Sequence, residues 1–127
     1  MKYLIDTHTM LWFLFDNEKI SQTATETIIS NKGFIFASNA SLWEIAIKIR
    51  INKLDIKYHP NDLLEFCRKE SIGILNITPQ HVNETLTLPL IHRDPFDRML
   101  IAQAKVEDMT LVTCDQYIPQ YPIRTVW

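Results

Sequence analysis

Five short apolar runs are spaced along this chain with helix-like segments between most of them, and that alternation restricts the fold more than any other feature. The runs are Lys2 to Ile5, Phe34 to Ala37, Ile72 to Ile77, Leu111 to Thr113 and Ile123 to Trp127. The second is continuously apolar and bounded by turn residues, as parallel strands buried on both faces tend to be. The third carries Gly73, which breaks it. A helix from about Thr9 to Phe15 follows the first run at once, and Ser21 can cap another that Asn31-Lys32-Gly33 stops. From Ser41 to Ile51, Leu42, Ile45 and Ile49 recur at helical spacing. Pro60 marks a further start, with Leu63, Leu64, Phe66 and Cys67 facing inward. Thr78-Pro79 and Asp94-Pro95 each place a cap before a proline, opening helices to about Leu86 and Glu107. Strands alternating with helices predict the α/β class: a mostly parallel sheet of roughly five strands, with helices on both faces. No repeat, low-complexity tract or linker divides residues 1–127, so one domain is expected.

Composition narrows the function classes. A 46% hydrophobic share with only two glycines excludes a disordered or collagen-like chain. Thirteen basic against fifteen acidic side chains leave a charge of −2, which argues against nucleic-acid binding by bulk positive charge. It does not exclude a nuclease, because a local basic rim and a bound cation reverse the sign near a site. Cys67 and Cys114 stand apart, with no CxxC and no His/Cys cluster of zinc spacing. A reduced, cytoplasmic setting is the simplest expectation. Asp6 and His8 interrupt the N-terminal apolar stretch a signal peptide needs, and Met10 to Phe15 is far too short to span a membrane.

Four acids then fall where strands end or helices begin: Asp6, Glu44, Asp97 and Asp115. In an open α/β sheet those points share one edge, where ligands bind. Each acid also has a plainer reading. Asp6 suits the N-cap of the helix after it. Glu44 completes Ser41-x-x-Glu44, a capping box, although Ser38 and Asn39 offer other caps. Asp94, before Pro95, is the natural cap of its helix, which leaves Asp97 free to point into the cleft. Asp115 alone reads as a turn residue. Their joint placement is the argument, since three or four carboxylates without a His set suit Mg²⁺ or Mn²⁺ rather than zinc. Such ions neutralise a phosphodiester and activate water against it. Asp6 and Asp97 would then bind the metal directly, with Glu44 and Asp115 acting through water or orienting the nucleophile. The chain has no P-loop, GxGxxG or GxSxG, and Asp6-Thr7-His8 lacks the second Asp of an Asp-x-Asp phosphatase.

The blocks Leu4-Ile5-Asp6-Thr7-His8, Ser41-Leu42-Trp43-Glu44-Ile45-Ala46, His92-Arg93-Asp94-Pro95-Phe96-Asp97-Arg98 with its continuation to Ala104, and Thr110-Leu111-Val112-Thr113 together resemble the PIN domain, most closely its VapC-type ribonuclease toxins. The resemblance spans nearly the whole chain, with Asp94 to Ala104 its most specific part. It implies a compact α/β/α sandwich and a Mg²⁺- or Mn²⁺-dependent endoribonuclease whose metal-binding acids are Asp6, Glu44, Asp97 and Asp115. It also implies a toxin that forms a homodimer, is inhibited by a small VapB-like antitoxin, and meets DNA only through that antitoxin. Thr7, Arg93 and Arg98 are the candidate contacts to water or RNA phosphate. Two other readings stay open: a PIN-fold nuclease of RNA processing with no antitoxin, and a binding module that kept the fold without catalysis. The basic stretch Lys48, Arg50, Lys53 and Lys57 reads either as an RNA surface or as an ordinary solvated face.

Overall fold

The strands assemble in the order β3-β2-β1-β4-β5, every neighbouring pair parallel. They are β1 (Tyr3–Ile5), β2 (Ile35–Ser38), β3 (Gly73–Leu75), β4 (Thr110–Val112) and β5 (Thr125–Val126). The computed structural model describes residues 1–127. Six α-helices and one short 3-10 turn (Ile118–Gln120) complete the chain: α1 (Thr7–Phe15), α2 (Gln22–Ser30), α3 (Asn39–Arg50), α4 (Pro60–Lys69), α5 (Pro79–Glu84) and α6 (Pro95–Glu107). The sheet is therefore wholly parallel and five-stranded, inside the range the alternation predicted.

Side chains alternate across the sheet with the two-residue period of a strand. Ile5, Ala37 and Val112 point to one face, where Met10, Ala24, Ile28, Ile45, Leu63 and Cys67 of the first four helices cover them. Leu4 and Leu111 point to the other, against Leu100, Ile101 and Ala104 of α6. Two apolar cores on opposite faces make this an α/β/α sandwich. Burying each Ile or Leu in them contributes about 1.5–3 kcal/mol.

The predicted boundaries moved by a few residues, for local reasons. Helix α1 starts two residues early because Asp6 caps it, accepting from the Thr9 amide at 2.8 Å. Ser38 caps α3 through the Ala40 amide, so Ser41 and Glu44 are not needed as a capping box. Gly73 opens β3 rather than breaking it. A Cβ there would sit 2.8 Å from the Phe36 ring, so the residue beside that ring must be small.

Candidate functional site

Chain order fixes where the site lies. From β1 the chain moves outward to β2 and β3, then returns to place β4 on the opposite side of β1. The crevice of a doubly wound sheet opens at such a switch point, beyond the strand carboxyl ends. Asp6 follows β1 there, and Thr113, Cys114 and Asp115 follow β4. The register Ile5↔Val112, carried one step further, sets Asp6 beside Thr113. The Thr113 hydroxyl donates to Asp6 Oδ2 at 2.6 Å and accepts from the Asp115 amide at 3.1 Å, linking the two acids.

Glu44 reaches the same crevice from the second turn of α3. It is buried, and both of its oxygens are engaged. Lys48, one turn on, donates to Oε2 at 2.7 Å. The Thr7 hydroxyl lies 2.7 Å from Oε1 and 2.8 Å from Ser41 Oγ. A carboxylate can only accept, so the single Thr7 proton goes to Glu44 and the Ser41 hydroxyl donates to Thr7. Lys48 thus belongs to the site, while the rest of the predicted basic stretch makes no contact with the acids.

Helix α6 brings in Asp97. Asp94 is its N-cap, accepting from the amides of Phe96 and Asp97 at 2.8 and 3.1 Å, so the two acids of that block divide the work as the Asp-Pro signature suggested. Burial first, then the charge of Asp94, push the Asp97 carboxyl up to about 7; His92 opposes the shift, while Asp6 and Glu44 add to it. Burial likewise raises Asp6, against the hydrogen bonds from Thr113 and Thr9. Asp115 goes the other way. Burial disfavours its charge, but the amides of Tyr117 and Ile118, together with His92, outweigh that and hold it below the usual carboxylate value.

His92 is the residue sequence reasoning missed. Its Nε2 lies 3.0 Å from Asp97 Oδ2 and 3.1 Å from Asp115 Oδ2, which gives the three side chains the spacing of a metal-ligand cluster. Its Nδ1 accepts from the Asp94 amide at 3.1 Å, so the ring proton sits on Nε2. In this tautomer Nε2 donates, and His92 acts as a clip between the two carboxylates. Asp6, Glu44, Asp97 and Asp115 thus gather at one sheet edge, and carboxylate oxygens of which two are pushed upward by burial would suit a hard divalent cation. Thr113 was missed as well, and for both residues the reason lies in the fold: the β1–β4 register for Thr113, and the convergence of α6 with the turn after β4 for His92.

The remaining candidates separate. Thr7 is in the cluster. Arg93 is exposed beside it and forms no ion pair. Arg98 is committed elsewhere: its guanidinium donates to the carbonyls of Thr85, Leu88 and Pro89 at 2.9, 3.2 and 2.8 Å and approaches His92 O and the Tyr121 hydroxyl. The expectation that it contacts phosphate gives way to a role in shaping the 85–92 segment. Tyr121 shares that task, its hydroxyl donating to Pro89 O at 2.8 Å and accepting from the His92 amide at 2.7 Å.

Comparison with known structures agrees with this architecture. A chain of the VapBC2 complex from Rickettsia felis, solved with a promoter DNA fragment, aligns with a TM-score of 0.72 at 16% identity, covering 99% of this chain and 98% of that one. A chain of DNA-bound VapBC from Salmonella typhimurium gives 0.71 at 17%, with 99% and 97% covered. FitAcB from Neisseria gonorrhoeae gives 0.68 at 15%, with 98% and 96% covered. At such identities the likeness is one of fold. No curated protein matches in sequence at a significant level. The PIN domain family model does match, over residues 3–123, and the chain belongs to the PIN domain family.

Proposed function

We propose that residues 1–127 form one nuclease unit, a Mg²⁺- or Mn²⁺-dependent endoribonuclease acting as the toxin of a toxin–antitoxin pair. The observation that carries this reading is the gathering of Asp6, Glu44, Asp97 and Asp115 at the β1–β4 switch point, where burial and then the neighbouring acids push Asp97 up to about 7. A protein keeps such strain where a cation is to be bound, because removing a carboxylate from water without a partner is costly. Lys48 already balances Glu44, so the unmet negative charge lies with Asp6 and Asp97. These two would hold the ion directly, with Glu44 and Asp115 contributing through water or by orienting the nucleophile.

A bound divalent ion supplies charge neutralisation at the phosphodiester and activation of the attacking water. The chain's own residues do the positioning. Thr113 locks Asp6 to the end of β4, His92 clips Asp97 to Asp115, and Thr7 with Lys48 fixes the Glu44 carboxylate. Holding each donor by a second contact limits the geometries the site can adopt. Burial of Asp6 also shields its carboxylate from bulk solvent.

The partners follow from the fold and the charge. PIN-family membership is joined by structural likeness to chains of VapBC complexes, which supports a small VapB-like antitoxin; DNA is then met through that partner. A net charge of −2 fits a toxin that leaves DNA binding to another chain. RNA is the substrate and the working form is a homodimer. No helix is long and apolar enough to cross a membrane, and both cysteines are free, which supports a cytoplasmic site of action.

The ends of the product test the chemistry. Attack by water is expected to leave a 5′-phosphate and a 3′-hydroxyl, read by whether ligase joins the fragments without prior kinase treatment. Fragments carrying 2′,3′-cyclic phosphate would mean attack by the RNA's own 2′-hydroxyl and would overturn the proposed role of the acids.

A further inference from the structure

Beside the acids, past His92, lies a cavity of about 480 Å³ lined by Ile91, His92, Arg93, Asp94 and Tyr117. That is within the size range of small-ligand pockets. Tyr117 is tied to the acid site twice. Its amide donates to Asp115 Oδ1 at 2.7 Å, and its ring meets the His92 imidazole edge-on, with centroids 5.6 Å apart at 66°. The side chain is nevertheless 44% exposed, so ring surface stays open towards the cavity and solvent. A tyrosine placed for packing buries its ring or bonds its hydroxyl, as Tyr121 does here at 3% exposure. Tyr117 does neither. Arg93, on the same cavity, is exposed and paired with no carboxylate. The one acid in the wall, Asp94, spends Oδ1 on two α6 amides.

An open aromatic ring and an unpaired guanidinium, next to a phosphodiester-cleaving centre, match what single-stranded RNA presents: a stackable base flanked by phosphates. We infer that this cavity is a nucleotide subsite, in which Tyr117 stacks on the base adjoining the scissile phosphate and Arg93 pairs with the neighbouring phosphate. The inference rests on the ribonuclease reading above and adds the residues that seat the strand. Stacking tolerates any base, so the subsite positions RNA without selecting a sequence.

The test uses an RNA of about 12 nucleotides spanning a mapped cleavage junction, a length suited to one such groove. Binding is followed by fluorescence anisotropy on the Asp97→Asn protein, and cleavage on the otherwise intact protein. Tyr117→Ala is expected to raise Kd and KM by about 5- to 150-fold, the range for one lost stack, while the single-turnover rate at saturating RNA changes little. Tyr117→Phe keeps the ring and is expected to keep the affinity. Removing the base next to the junction should cost the intact protein the same factor and the Tyr117→Ala protein nothing further. Arg93→Ala should lower the slope of log Kd against log salt by about 0.7. Additive losses from Tyr117→Ala and the abasic RNA, or a Tyr117→Phe protein as impaired as Tyr117→Ala, would overturn the subsite while leaving the ribonuclease intact. RNA neither bound nor cut by the unaltered protein would overturn both.

Discussion

Asp97→Asn is expected to fold more tightly than the unaltered protein in EDTA at pH 7.5 and yet to lose cleavage by about 10²–10³-fold, the scale for removing one electrostatic partner of a transition state. Both effects come from one carboxyl. Its pKa is raised from 3.8 to about 7 in the folded protein, so folding favours its protonated form. Its contribution to stability is then fully present below about pH 4 and is lost as pH rises to about 7. Above that the folded state carries the cost of a buried charge and, after it, the repulsion from Asp94, Asp6 and Glu44. Asparagine removes the charge and keeps an oxygen for His92 to approach. With the partly exposed side chain allowed for, the gain should be on the order of 2 kcal/mol at pH 7.5 and should vanish near pH 4. Urea unfolding at the two pH values measures it. Mn²⁺ should reverse the order at pH 7.5, since only the unaltered protein holds the full donor set. An Asp97→Asn protein that is less stable in EDTA at pH 7.5 would show that this carboxyl stabilises the fold, and the case for an unmet charge would collapse.

Arg98→Ala is expected to have the largest effect on stability of any surface-reachable substitution near the site. The guanidinium donates to three carbonyls of the 85–89 segment and touches both His92 O and the Tyr121 hydroxyl. Hydrogen bonds with a charged partner contribute about 1.5–3 kcal/mol each before overlap is counted, so a total loss of about 2–4 kcal/mol is expected. Lysine should restore less than half of it, because a point charge cannot serve carbonyls spread around a planar fork. Loosening this segment also releases His92, so cleavage should fall even where the variant remains folded. If Arg98→Ala kept its stability and lost only RNA affinity, the phosphate role expected from the sequence would be the right one.

Legibility followed the range of the interactions. Caps and periodicities are local, and they located six helices and five strands to within a few residues. The Asp94-Pro95 signature even separated the capping acid from Asp97. Asp6, Asp97 and Asp115 lie at the ends of elements as read from the sequence, whereas Glu44, expected in a first turn, lies in the second turn of α3 because that helix begins at Asn39. Contacts spanning the chain were not recognisable. Thr113 meets Asp6 only because β4 lies beside β1, a neighbour relation between residues 107 apart that no local pattern encodes. His92 reads as a loop residue until α6 and the turn after β4 converge on it. Arg98 shows the converse error: a cation next to acids suggests phosphate, whereas a bend of carbonyls at 85–92 claimed it first. Glu44 was balanced between cap and site until Ser38 took the cap.

In the proposed function, the acids at the β1–β4 switch point run metal-dependent RNA hydrolysis. The most direct measurement is cleavage of a mixed RNA pool by purified protein in Mg²⁺, Mn²⁺ or EDTA, beside a doubly substituted Asp6→Ala/Asp97→Ala protein prepared in parallel. Cutting that needs the metal and disappears in the double variant is the predicted result. Cutting that persists in EDTA, or in the double variant, would contradict the assignment of these acids as the metal-binding, hydrolytic centre.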